Sequence, residues 1–333
     1  MKIAVVGGSG YAGAEVLRLL ASVRDAQVVC VTGDSSAGRA LGELHPSLSA
    51  LYGDTTIVPT AAVLDSTADV VFVALPHGES QKWVPQLRTA TIIDLGADYR
   101  LSVEAYEQWY GHAHRDRLGV ADARYGLVER YRDRLRGAQL IAAPGCYPTA
   151  TSLAVAPFSD AGIITGVVTV NALSGVSGAG RAPSDRYHFP RLAGGAEAYG
   201  MTGHRHTPEM EREIGSLVQF TPHLIPISRG MLVTATATLA RDMASDEVYE
   251  YLLATYQHDP CVIVRRDPPS AKDALGSNAI HVAAVVSRRT NQLVMMSAMD
   301  NLGKGAAGQA VQAWNVARGA NELTGLSLAG VAP

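Results

Sequence analysis

The run Ile3-Ala4-Val5-Val6, leading straight into Gly7-Gly8-Ser9-Gly10-Tyr11-Ala12-Gly13, leaves this chain few ways to begin folding. The apolar stretch is continuous rather than alternating, as in a parallel strand covered on both faces. Past the glycines, Val16, Leu17, Leu19 and Leu20 recur at helical spacing, and Val28-Val29-Cys30-Val31-Thr32 is a second buried strand. In a strand–turn–helix–strand unit, glycines let backbone N–H groups approach a pyrophosphate at a positively polarised helix N-terminus. Gly8, Gly10 and Gly13 fit GxGxxG, and Gly7, Gly10 and Gly13 fit GxxGxxG. Either spacing is weak alone and gains meaning from its place between strand and helix. The bland alternative is a tight turn with no ligand. After the second strand stand Asp34, suited to the ribose 2′-OH of NAD, and Ser35, Ser36 and Arg39, suited to the 2′-phosphate of NADP. The balance of groups favours NADP.

More strand-then-loop units follow. Residues 68–75 end in Pro76-His77-Gly78, residues 91–95 in Gly96-Ala97-Asp98, and residues 139–143 in Pro144-Gly145-Cys146. This alternation predicts a parallel α/β sheet up to about residue 145. Thereafter Val167–Leu173, Leu232–Thr238, Ala279–Val286 and Gln292–Ala298 predict strands of a second sheet, and residues 306–317 a helix. Between 174 and 206 runs a long Gly-, Arg-, His- and Tyr-rich stretch of the kind that is usually functional or mobile when it occurs inside a compact domain. The 28 Lys and Arg against 31 Asp and Glu exclude the strong positive field of a dedicated nucleic-acid binder. No apolar run approaches the ~18–20 residues of a membrane span. Gly7 and Gly8 also interrupt the start too early for a signal-peptide core, so a cytoplasmic chain is expected. Three widely spaced cysteines give neither a disulfide framework nor a metal-ligand pattern, and no metal is expected.

Cys146 is the cysteine with a chemical context. It stands between a predicted strand and a helix whose first turn suits Pro148, and a helix N-terminus favours thiolate. Cys30 and Cys261 lie in apolar runs, where cysteine is usually a small buried hydrophobe. A nucleophilic cysteine needs a proton-transfer partner. The segment His204-Arg205-His206-Thr207-Pro208-Glu209 supplies candidates: Thr207 reads as an N-cap, Pro208 as the first helical residue, and Glu209 as a group able to orient an imidazole. His206 is the first candidate for acid/base work. His204 is the second, and is otherwise a substrate contact.

Gly10-Tyr11-Ala12-Gly13, Leu75-Pro76-His77-Gly78, Gly96-Ala97-Asp98-Tyr99-Arg100-Leu101, Gly145-Cys146-Tyr147-Pro148-Thr149, Ser174-Gly175-Val176-Ser177-Gly178-Ala179-Gly180-Arg181, His204–Glu209 and Asp300-Asn301-Leu302-Gly303-Lys304-Gly305 occur in that order. With these blocks the chain resembles the N-acetyl-gamma-glutamyl-phosphate reductase family of arginine biosynthesis from residue 2 to the C-terminus. The resemblance implies an α/β fold: a Rossmann-type parallel-sheet domain over 1–145, to which 302–333 returns, and an α+β catalytic and oligomerisation domain over 146–301. It implies Cys146 as nucleophile, His206 as general acid/base, and NADPH-dependent reduction of an acyl phosphate through a thioester. NADP(H) is expected on Ser9, Gly10, Tyr11, Ala12 and Gly13, on the 35–39 segment, and on Leu75, Pro76 and His77. Ser177, Gly178 and Asn301 are expected close to its nicotinamide. Arg181 or Arg229 is expected on a substrate carboxylate or phosphate, since guanidinium forks suit both anions. A homodimer or homotetramer is implied as well. The chain departs from the family pattern at Val128, where Tyr-Gly-Leu-Pro-Glu is common, and at Asp34, where an acid is unusual. Reductases of aspartyl or aminoadipyl phosphates, and a non-catalytic nucleotide sensor, are the rival readings; the His204–Glu209 block disfavours the aspartyl branch, and Cys146 with its histidines disfavours the sensor.

Overall fold

A computed structural model describes residues 1–331, which fold as two compact units. The first comprises residues 1–144 and 306–326. Its six strands are β1 (Lys2–Val6), β2 (Gln27–Thr32), β3 (Val70–Val73), β4 (Thr91–Asp94), β5 (Arg124–Tyr125) and β6 (Leu140–Ala142). All pair in parallel, in the order β2-β1-β3-β4-β6-β5. After β2 the chain crosses to the other side of β1, so the order reverses between β1 and β3. Ligands of open α/β sheets bind beyond the strand ends at such a reversal. The core behind it is apolar: Ile3, Val5, Leu17, Phe72 and Ile93 pack with Trp314 from the Gly308–Ala317 helix, whose indole meets Phe72 edge-on at 5.6 Å.

The second unit spans residues 145–305 and, among the described residues, 327–331. The stretch expected to return to the first unit from 302 is thus divided: 306–326 join that unit, whereas 302–305 and 327–331 belong to the second. Seven strands form a mixed sheet: β7 (Ile164–Gly175), β8 (Glu197–Ala198), β9 (Val218–Ile225), β10 (Met231–Leu239), β11 (Val262–Val264), β12 (Ile280–Ser287) and β13 (Gln292–Met299), ordered β11-β12-β13-β10-β7-β9-β8. Strands β7 and β10 alternate buried with more accessible residues, so one sheet face is covered and the other is open within a single chain.

Helix α2 (Cys146–Asp160) covers that face and, from Tyr147 to Phe158, is buried on all sides. It contains Pro157, which has no N–H for the carbonyl of Leu153. Tyr256 supplies the missing donor at 2.5 Å, from the Ser245–Tyr256 helix. Strand β9 escapes the sequence reading because Pro222 stands in it; β9 nevertheless alternates in burial, and the Pro222 carbonyl accepts the N–H of Tyr199 at 3.0 Å.

Candidate active site

Three loops meet at the reversal point of the first unit. Gly7 has φ +82° and donates to the Thr32 carbonyl at 3.1 Å; a Cβ on it would stand 2.3 Å from the Ala74 carbonyl oxygen at the end of β3. Gly13 lies so close under the turn that a Cβ would meet the Gly7 oxygen at 2.4 Å. Gly10 caps helix α1 (Tyr11–Leu20) without any side-chain hydrogen bond, and no acid stands in the first turn. That helix N-terminus is shaped for an anion that can approach the backbone closely. Ser9 packs on Gly33, where a Cβ would be 2.5 Å from its Oγ, and Tyr11 is exposed while Ala12 is half-buried. These residues fit a pyrophosphate.

The segment after β2 is less uniform than its composition suggests. Ser35 and Arg39 are exposed, and Arg39 pairs with Glu43 at 3.3 Å. Ser36, expected with them, is buried. Asp34 accepts the backbone N–H of Thr60 at 2.7 Å, so one of its oxygens ties the β2 loop to the following segment. Leu75, Pro76 and His77 follow β3; Pro76 and His77 are exposed.

In the second unit, Cys146 opens α2 with Gly145 as N-cap, and again there is neither a side-chain cap nor an acid in the first turn. The thiol is partly accessible. Helix α3 (Thr207–Ile214) packs against α2. Its N-cap is His206, not Thr207: His206 already has helical dihedrals, φ −85° and ψ −10°, which moves the helix start back by one residue. Buried Glu209 on α3 accepts the backbone N–H of Gly145 at 2.9 Å, so an acid expected to orient an imidazole is bonded to the residue before the cysteine. The tips of the two helices are pinned together, with Cys146 on one and His206 on the other.

Aromatic rings fix this corner. The His204 and His206 rings lie 5.0 Å apart, the Tyr147 ring meets them at 5.5 and 5.9 Å, and the His206 N–H donates to His204 Nδ1 at 3.1 Å. The hydroxyls of Tyr147 and Tyr199 are 2.9 Å apart. Burial pushes the Tyr147 hydroxyl far above its ordinary range and that of Tyr199 up to about 12, so both stay neutral. Tyr199, at the end of β8, was not anticipated, and its place beside many similar residues in the 174–206 stretch gives no sequence signal.

The loop after β13 approaches from the other side. Gly305 lies where a Cβ would stand 2.9 Å from the Cβ of Cys146, and residues Gly303–Ala307 form a π turn, displacing the expected helix start from 306 to 308. Asn301 bridges two segments: its Nδ2 donates to Ser177 Oγ at 2.9 Å, and its Oδ1 accepts the N–H of Gly230 at 2.8 Å. A Cβ on Gly178 would stand 3.6 Å from Asn301 Nδ2. Ser177, Gly178 and Asn301 are therefore neighbours. Arg229 donates to buried Asp300 at 3.0 Å, whereas Arg181 is exposed on the long stretch after β7. Among the described residues no cluster of three or more His, Cys, Asp or Glu is placed to hold a metal ion, and no helix is long and apolar enough to cross a membrane.

Residues 2–138 match the family description "Semialdehyde dehydrogenase, NAD binding domain", and residues 146–301 match "Semialdehyde dehydrogenase, dimerisation domain". The N-acetyl-gamma-glutamyl-phosphate reductase of Mycobacterium avium is 44% identical, over 100% of this chain and 99% of its own. That of Pelotomaculum thermopropionicum is 40% identical over the same shares. Among solved structures, aspartate semialdehyde dehydrogenase II from Vibrio cholerae superposes with a TM-score of 0.71 at 16% identity, covering 95% of this chain and 97% of that one. An aspartate semialdehyde dehydrogenase from Candida albicans, solved with NADP, gives 0.67 at 13%, covering 95% and 97%. These structures share the fold.

Proposed function

The chain belongs to the N-acetyl-gamma-glutamyl-phosphate reductases of the semialdehyde dehydrogenase family, and from that premise we propose that it reduces N-acetyl-gamma-glutamyl phosphate to N-acetylglutamate 5-semialdehyde, with release of phosphate, in arginine biosynthesis. The observation that carries the reading is the pair of pinned helix tips, which sets a thiol on an uncapped helix N-terminus beside a histidine-capped one.

His206 takes the thiol proton, and the Cys146 thiolate attacks the acyl carbon. The bond from that carbon to the phosphate oxygen breaks with its electron pair on phosphate, leaving a thioester on Cys146. NADPH, when bound, supplies a hydride to the thioester carbon. The backbone N–H groups at the start of α2 stabilise the oxyanion formed in each half. As the C–S bond breaks with its electrons returning to sulfur, the aldehyde leaves and protonated His206 returns its proton to the Cys146 sulfur. Ser9 to Gly13 hold the pyrophosphate; Ser35 and Arg39 suit the 2′-phosphate, since both are exposed. Leu75, Pro76 and His77, and also Ser177, Gly178 and Asn301, are assigned to the rest of the dinucleotide. His204 and one of Arg181 and Arg229 are assigned to substrate; Arg229 is held by Asp300. The open face of the second sheet is the surface proposed for self-association as a dimer or tetramer.

The test runs the reaction backwards, with N-acetylglutamate semialdehyde, phosphate and NADP, following absorbance of the reduced cofactor. Turnover that needs phosphate and prefers NADP is expected. Preference for an aminoadipate- or aspartate-derived semialdehyde would move the substrate and keep the chemistry. Cys146→Ser should lower kcat by about a thousandfold or more while NADPH still binds; near-normal activity would end the thioester scheme.

A further inference from the structure

Beneath the loop after β3 lies a buried polar cluster that the scheme above does not use. Asp98 is fully buried. One of its carboxylate oxygens accepts the N–H of Gly78 at 2.7 Å and the hydroxyl of Tyr106 at 3.0 Å. The other accepts the N–H of Gln81 at 3.1 Å and lies 2.9 Å from Ser80 Oγ. Ser80 is buried too, and its Oγ is 3.1 Å from the carboxylate of buried Asp94, the last residue of β4. A second path runs through rings. Tyr106 stacks on Tyr110 at 4.5 Å, and Tyr110 meets His77 edge-on at 5.6 Å. Asp98 thus reaches both the backbone and a side chain of the Pro76-His77-Gly78 loop, whose Pro76 and His77 are exposed.

Two carboxylates around one serine hydroxyl cannot both receive its single hydrogen. With a proton on Asp94, the carboxyl donates to Ser80 Oγ and Ser80 donates to Asp98. Asp98 then accepts every donor around it. Without that proton, two negative charges share a buried site. Asp94 also faces Arg100, the Gly96 N–H and Tyr99. Asp98 faces Tyr99 and Tyr106, its own carbonyl lies 2.7 Å from His114 Nε2, and His112 Nε2 is 3.5 Å from the Tyr106 hydroxyl. Burial, and then the charge of Asp98, pushes Asp94 up to about 7.

We propose that Asp98 is a positioning residue for the cofactor: it sets Pro76-His77-Gly78 in the shape that holds the dinucleotide, and the Asp94–Ser80 chain, by donating toward it, keeps both of its oxygens accepting. The proposal rests on the assignment of this loop to the cofactor.

The experiment measures NADPH dissociation by nicotinamide fluorescence for the wild type, Asp98→Asn, Asp94→Asn and His77→Ala, from about pH 6 to about pH 9. In Asp98→Asn an amide NH2 faces backbone donors, and affinity should fall about tenfold or more, as when a bond to a charged acceptor is lost. Phosphate release from the acyl phosphate without NADPH should stay at the wild-type rate in that variant, whereas general loss of structure would lower it. Wild-type affinity should weaken as pH rises through about 7, while Asp94→Asn, a mimic of the protonated form, should bind equally well throughout. Should Asp98→Asn fail to fold, Ser80→Ala cuts the chain between the carboxylates and should also weaken NADPH binding. Affinity within about twofold of wild type in Asp98→Asn, with His77→Ala weakened, overturns the positioning role alone. Unchanged affinity in His77→Ala removes the loop from the cofactor, and both readings with it. A pH dependence that survives in Asp94→Asn overturns the part given to Asp94.

Discussion

Gly305 has no room for a side chain. Besides the Cys146 Cβ, an added Cβ would stand 3.1 Å from Met299 Cε and 3.2 Å from the Asp300 carbonyl oxygen. Met299 can yield, but the first residue of α2 and the loop backbone can do so only by moving the thiol. Gly305→Ala is therefore expected to cost about 1–3 kcal/mol of stability and to lower kcat more than it changes NADPH affinity, read by denaturation and steady-state kinetics. Asp34 poses a different question, because an acid after the second strand is an argument for NAD. Its Oδ1 is occupied by the Thr60 N–H, and Thr60 is buried. Asp34→Ala should cost about 1–2 kcal/mol by orphaning that donor, and NADP should stay preferred over NAD. A variant that switched to NAD preference, or that kept full stability, would contradict this strut role.

Helices and strands whose residues serve one local purpose could be read before the structure. Ile3–Val6 is apolar throughout because it is covered on both faces, and Pro148 fits the first turn of α2 where its missing N–H is harmless. What escaped is set by partners far away in sequence. Pro222 hides β9, and neither the hold of Asp98 on Gly78 and Gln81 nor the bond of Glu209 to the Gly145 N–H has a local sign. The start of the final helix slipped because the turn Gly303–Ala307 closes around Cys146's neighbour Gly305 in a wider winding. That final helix also carries the heaviest single packing residue of the first unit, Trp314. Trp314→Ala is expected to cost about 3–5 kcal/mol in chemical denaturation; a loss below about 1 kcal/mol would mean that the core around Phe72 collapses to fill the space.

The titration of Asp94 reaches the stability of the protein as well as its ligand. The carboxyl sits near 3.8 in an unfolded chain and about 7 in the fold. A raised value means the folded state holds the proton more tightly, so this contribution is complete below about pH 4 and is lost as pH rises through about 7. Thermal denaturation should show the wild type losing this stabilisation between about pH 4 and about pH 7 and no more of it above, with Asp94→Asn flattening that decline. An equally steep decline in the variant would place its source elsewhere.

The first unit has a further consequence in time. It is built from residues 1–144 together with 306–326, so the segment bearing Trp314 leaves the ribosome after nearly all of the second unit has emerged. The amino-terminal part of the polypeptide is made first and finished last. During synthesis it waits as an open half-structure, with the faces of Phe72 and Ile93 that will meet Trp314 still bare. For that interval its uncovered apolar surface is open to chaperones and proteases.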